Sequence, residues 1–133
     1  MANKSNPVQN PCRILIVEDD ADQRALFMLA LSSIGYDVLG LCDAEDAFAR
    51  LREERFGLVL SDWYLPGMMG DEFLRVVKQE QPEVVTILMS SHDHVRGMAA
   101  NCGADGWFRK NDGIGRLRAL VRASLDHGHQ PSA

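Results

Sequence analysis

Asp62 stands between an apolar run, Leu58-Val59-Leu60-Ser61, and the break Trp63-Tyr64-Leu65-Pro66-Gly67. A second acidic group, Glu18-Asp19-Asp20, closes another apolar run, Ile14-Leu15-Ile16-Val17. Runs of this kind, rich in Val, Ile and Leu, read as buried strands of a parallel sheet. Both acidic groups then lie at the carboxyl ends of strands, the rim where open α/β sheets bind ligands. Carboxylates gathered there repel one another, so the cluster needs a cation or a function that uses its charge. Ser90 closes the run from Val84, and Lys110 follows the short run from Gly106, so both should reach the same rim.

The elements that must position these residues alternate as strand and helix five times over. Strands are predicted over residues 13–18, 36–41, 57–62, 84–90 and 106–109. The first helix is predicted over 21–34, capped by Asp20, with Leu26, Leu29, Ala30 and Ile34 inward and Gly35 as the stop. Asp43 caps a second helix running to about Glu54, with Ala44, Ala47, Phe48 and Leu51 inward. Further helices are predicted over 71–80, over 94–102 up to Gly103, and over 114–127 with Leu117, Leu120, Val121 and Leu125. Such alternation predicts the α/β class, a parallel sheet with helices on both faces. Residues 12–127 read as one domain, with residues 1–11 and 128–133 as loose ends.

A chain of 133 residues with 46% hydrophobic residues can bury one core, and 25% charged residues suits a soluble protein. A net charge of −5 and the lack of a basic stripe argue against nucleic-acid binding. No apolar run approaches the roughly 20 residues of a membrane span. The polar start lacks the apolar core of a signal peptide, so no membrane contact and a cytoplasmic location are expected. Cys12, Cys42 and Cys102 form no C-x-x-C pair and read as reduced thiols.

The run Ile14 to Asp20, the stretch Leu58 to Gly70 around Asp62, Ser90-Ser91, and Gly103-Ala104-Asp105 followed by Lys110 together resemble the response-regulator receiver domain of two-component signalling, in its stand-alone CheY-like form. The resemblance covers about residues 13–125. It implies a (βα)5 flavodoxin-like, doubly wound parallel sheet of strand order 2-1-3-4-5. It implies that Asp62 is the phosphoacceptor, taking its phosphoryl group from a histidine kinase or a histidine phosphotransfer protein, with Lys110 and Ser90 completing the catalytic set. A positioned carboxylate is a competent nucleophile, and phosphoryl transfer depends on charge stabilisation. Mg2+ or Mn2+ would supply it, held by Asp19, Asp62 and the backbone carbonyl of Tyr64, and by Glu18 through a water. Lys110 would pair with Asp62 at rest and with a phosphoryl oxygen afterwards. Ser90 would donate its hydroxyl and move together with Trp107 as a switch. The alternatives are a strand-end Ser bonding its own backbone, and a half-exposed packing Trp. Signalling would then run through a downstream protein partner or a phosphorylation-dependent homodimer. No enzyme activity is expected beyond self-catalysed phosphoryl transfer and slow autodephosphorylation.

The sequence departs from the family where Asn111 replaces the usual proline after the lysine. A cis bond before a non-proline residue costs about 2.5–4 kcal/mol, so a trans bond is expected. Tyr64 and His92 occupy positions that tune loss of the phosphoryl group in the family. Two rings there would screen the path of water and lengthen the life of the phosphorylated form; for His92 a plain loop residue is the alternative. A haloacid-type phosphatase would need an acid two residues after the nucleophile, where Tyr64 stands. A flavodoxin-like electron carrier would need a Ser, Thr and Gly-rich phosphate loop where Glu18-Asp19-Asp20 stands. A phosphorylation-independent scaffold of the same fold, and a receiver excised from a larger regulator or hybrid kinase, stay open as alternatives.

Overall fold

Five apolar runs become the five strands of one parallel sheet. The computed structural model describes residues 13–127. Cys12 and the segments 1–11 and 128–133, expected to be loose ends, lie outside the described residues. Along the chain come β1 (Arg13–Val17), α1 (Ala21–Ser32), β2 (Asp37–Leu41), α2 (Ala44–Glu53), β3 (Leu58–Asp62), α3 (Gly70–Glu80), β4 (Val85–Ser90), α4 (Val95–Cys102), β5 (Gly106–Arg109) and α5 (Ile114–His127). The strand order is β2-β1-β3-β4-β5, every pair parallel, as the resemblance implied. Element ends fall within one or two residues of the expected ones, the usual scatter of frayed termini.

Because side chains alternate across a strand, each strand feeds two cores. Leu15, Val17, Val59 and Leu88 pack beneath α2, α3 and α4, against Leu51, Phe73, Leu74, Val77 and Ala99. Ile14, Ile16, Leu58, Leu60, Ile87 and Met89 pack on the other face beneath α1 and α5, against Phe27, Leu31, Leu117 and Val121. The central strand β3 is buried along its whole length, which is why it reads as an unbroken apolar run.

Helix α1 corrects one expectation. Leu26 and Leu29, expected inward, are 50% and 66% exposed, while Phe27, Ala30 and Leu31 are buried. The stretch from Ala25 to Leu31 is apolar without interruption, so its periodicity does not fix which side turns inward. Tertiary packing does, through Phe27 set edge-on to Phe108 with centroids 6.3 Å apart. The caps follow the sequence: Asp20 accepts from the Gln23 N–H at 3.0 Å, and Asp43 from the Asp46 N–H at 2.8 Å. Gly103 ends α4 in the left-handed region, φ 78°, which glycine adopts without penalty.

The amino-terminal edge of the sheet is closed by a satisfied polar network. Asp105 Oδ2 accepts from the Thr86 N–H at 2.9 Å and from Lys78 Nζ at 2.6 Å, and Lys78 also donates to the Val84 carbonyl at 2.8 Å. One carboxylate thereby ties α3, β4 and the turn before β5. All the site residues lie at the opposite edge.

Candidate functional site

Strand register builds the site. Val17 of β1 lies opposite Ser61 of β3, so the residues that follow, Glu18 and Asp62, meet across the rim. Ser90 ends β4 beside Arg109 of β5, which brings in Lys110 one residue later. Glu18, Asp19 and Asp62 each present a carboxylate oxygen within 4.8 Å of the others. Glu18 and Asp62 are buried and Asp19 is exposed.

Lys110 reaches into this cluster. Its Nζ lies 2.7 Å from Glu18 Oε1 and 3.0 Å from Asp62 Oδ1, and it donates to Gln23 Oε1 at 2.6 Å. Burial pushes the Glu18 carboxyl up from its ordinary value; repulsion from Asp62 adds to this, and Lys110 opposes it. Burial likewise raises Asp62, with Lys110 opposing and Asp19 reinforcing. For Lys110, burial would lower the value, but pairing with Glu18 and Asp62 outweighs it and the group is raised. The rim therefore holds more negative charge than one ammonium balances. Its donors are all oxygens, the set a hard divalent cation prefers. Glu18 Oε1 is buried and is held by the Lys110 ammonium; a carboxylate oxygen can accept more than one bond, so it has capacity left for a cation or its water.

Backbone contacts fix the frame. The Arg24 guanidinium donates to the Glu18 carbonyl at 2.8 Å, and the Asp20 N–H to Glu18 Oε2 at 3.2 Å. The Trp63 N–H donates to the Met89 carbonyl at 2.8 Å and the Gly70 N–H to the Trp63 carbonyl at 2.7 Å. Gly70 packs so closely that a Cβ there would lie 1.8 Å from the Asp62 carbonyl oxygen. The loop between β3 and α3 thus folds back directly onto the Asp62 backbone.

The other expected residues fall around this centre. Ser90 is buried, and its Oγ accepts from the His92 N–H at 3.1 Å, the local backbone bond weighed as its alternative. Tyr64 is 63% exposed. His92 is exposed too, and its ring meets that of Trp63. Trp107 is half-buried at the margin of the core beneath α2, α3 and α4. The bond before Asn111 is trans, since no peptide bond among the described residues is cis. Residues Lys110–Asp112 form a single 3-10 turn. Arg109 joins the two loops beside the site, pairing with Asp93 at 3.0 Å and with Asp112 at 3.3 Å. Gln23 was missed by the sequence reading, because its contact with Lys110 spans 87 positions and no local pattern marks it.

Residues 14–122 match the family of the response regulator receiver domain. The DNA-binding response regulator MtrA of Mycolicibacterium paratuberculosis is 32% identical over 119 residues, which cover 86% of this chain and 53% of the relative. The chain thus spans about half the length of the curated relatives it matches. A CheY-like receiver domain protein from Methanospirillum hungatei has a similar structure, with TM-score 0.80 and 29% identity over 86% of this chain and 93% of that one. The response regulator protein TrrA of Thermotoga maritima, solved in complex with Mg(2+)-BeF, has TM-score 0.78 and 25% identity over 84% of this chain and 96% of its own.

Proposed function

Because the chain belongs to the response regulator receiver domain family, we propose that Asp62 is its phosphoacceptor and that phosphorylation there switches the domain. The observation that carries this reading is the setting of Asp62: a buried carboxylate at the end of the central strand, 3.0 Å from Lys110 and beside Glu18 and Asp19.

The donor is a phosphohistidine of a histidine kinase or a histidine phosphotransfer protein. An Asp62 oxygen attacks phosphorus in line. The O–P bond forms as the N–P bond breaks, and the electron pair leaves on the imidazole nitrogen, which takes a proton from solvent. Such transfer asks the protein for position and charge rather than further covalent chemistry. Lys110 begins on Asp62 and follows the developing charge to a phosphoryl oxygen. Ser90 can turn its hydroxyl from the His92 N–H toward another phosphoryl oxygen, with Trp107 repacking behind it. Mg2+ or Mn2+ would be held by Asp19, Asp62, the Tyr64 carbonyl and, through water, Glu18, and would supply further neutralising charge. The Mg(2+)-BeF complex of TrrA supports that part of the reading.

Beyond this transfer and a slow autodephosphorylation the domain has no turnover of its own. It signals through protein contacts, with a downstream partner or a second copy. Among the described residues no helix is long and apolar enough to cross a membrane, and a cytoplasmic setting suits a kinase as donor.

Intact mass after mixing with acetyl phosphate and Mg2+ tests the reading. One phosphoryl group gained by the wild type, and lost both in Asp62→Asn and with EDTA, is the expected result. No gain, under conditions that modify a control receiver, would overturn it in favour of a phosphorylation-independent scaffold.

A further inference from the structure

An ammonium group carries three protons and accepts nothing. Lys110 Nζ has three oxygens around it: Gln23 Oε1 at 2.6 Å, Glu18 Oε1 at 2.7 Å and Asp62 Oδ1 at 3.0 Å. Two of the three are the carboxylates that a cation or a phosphoryl group would engage. Each such engagement weakens their hold on Lys110, and a cation also places a like charge beside it. Gln23 is neutral, belongs to neither carboxylate pair and makes the shortest of the three contacts.

We propose that Gln23 is a positioning residue for Lys110: its side-chain carbonyl keeps the ammonium seated at the rim when the carboxylates turn to incoming ligands. This inference rests on the phosphoacceptor reading of Asp62. The anchor is well placed for the task. Gln23 is the third residue of α1, and its N–H donates to Asp20 Oδ1 at 3.0 Å. The next residue, Arg24, donates its N–H to the Asp20 carbonyl at 2.9 Å and its guanidinium to the Glu18 carbonyl at 2.8 Å. The first turn of α1 is therefore pinned to the end of β1, on the same frame that carries Glu18. Because Lys110 only donates, the Gln23 amide must turn its oxygen to the site.

Gln23→Met removes the acceptor while keeping the side-chain length and a good helix former, and Gln23→Glu keeps an acceptor. The first readout is the Lys110 ammonium signal in nitrogen-15 NMR spectra, assigned by its absence in Lys110→Met and recorded with and without Mg2+. A protected signal is expected in the wild type and in Gln23→Glu. In Gln23→Met it should be lost to exchange, most clearly with Mg2+. The second readout is the rate of modification by acetyl phosphate. Gln23→Met is expected to be about tenfold slower, the scale of one hydrogen bond to a charged group. Added to Lys110→Met, it should slow the reaction no further. A Gln23→Met protein with an unchanged ammonium signal and rate overturns the inference, as does equal slowing in the Lys110→Met background. If the wild type gains no phosphoryl group, the phosphoacceptor reading fails, and the ammonium spectra by themselves decide whether Gln23 holds Lys110.

Discussion

The rings of Trp63 and His92 meet edge to face, with centroids 5.7 Å apart and planes at 89°. Trp63 follows Asp62, and His92 lies two residues after Ser90, so the contact bridges the two loops that border Asp62. If Asp62 is phosphorylated, rings in these loops would hinder the approach of water to it. His92→Ala is expected to cost about 0.5–1 kcal/mol of stability, the scale of an aromatic pair. It should also alter Trp63 fluorescence and shorten the lifetime of the phosphorylated form. Tyr64→Ala should shorten that lifetime less, since the Tyr64 ring is 63% exposed. Decay followed by intact mass checks this, and lifetimes equal to wild type in both variants would contradict it.

Stability should depend on pH in an unusual direction when no divalent cation is present. Burial, with mutual repulsion at the rim, raises Glu18 and Asp62 above ordinary carboxylates. The native state then binds more protons than the unfolded chain as pH falls toward the carboxylate range, and native stability rises there. With EDTA, the melting temperature should increase as pH falls from neutrality toward the ordinary carboxylate range. Further acid reverses the trend, because Glu54 is held below its usual range by Arg50 and loses that support on protonation. Lys110, raised, keeps its contribution until pH passes above the ordinary lysine range. Saturating Mg2+ should invert the first trend, because protons compete with the cation. Thermal melts across pH, with EDTA and with Mg2+, give the comparison.

Two glycines should respond oppositely to alanine. At Gly70 the new methyl would lie 1.8 Å from the Asp62 carbonyl oxygen. Backbone must move, so Gly70→Ala should cost about 3 kcal/mol and slow phosphorylation. At Gly97, inside α4, a methyl meets nothing within 4 Å. Gly97→Ala should therefore stabilise by about 0.5–1 kcal/mol through helix propensity. Denaturant unfolding of the two variants measures both signs.

Asp105→Ala should separate folding from chemistry. It strips the acceptor from the Thr86 N–H and from Lys78, which should cost about 1–3 kcal/mol. The rate of modification by acetyl phosphate should stay within twofold of wild type, because the site lies at the other edge of the sheet. A large loss of rate at a temperature where the variant is folded would contradict that division.

The fold was legible because apolar runs of strand length recur between amphipathic stretches, and polar or charged residues mark where most of the runs stop. Asp62, Glu18 and Asp19 could be placed at one rim because strand ends are local features of sequence. What escaped were facts fixed by contact between distant segments. The inward side of α1 depends on Phe27 meeting Phe108, and an uninterrupted apolar stretch hides that choice. Gln23 looks like any polar residue in a first helical turn until Lys110 arrives from β5. The contact of His92 with Trp63 escaped for the same reason.

Asp62 rides on a strand with little freedom to move. β3 is flanked on both sides by hydrogen-bonded neighbours and buried at every residue. A change at its carboxylate would find little relief in sliding the strand, and would pass instead to loops at the rim. Those are the two loops joined by Arg109, through ion pairs at 3.0 Å to Asp93 and 3.3 Å to Asp112 whose partners sit at the surface, where such pairs hold weakly. On the phosphoacceptor reading, the stiff sheet and these loops would together act as a lever, with its fulcrum at the end of β3 and its stroke on the outer face beside α4 and α5.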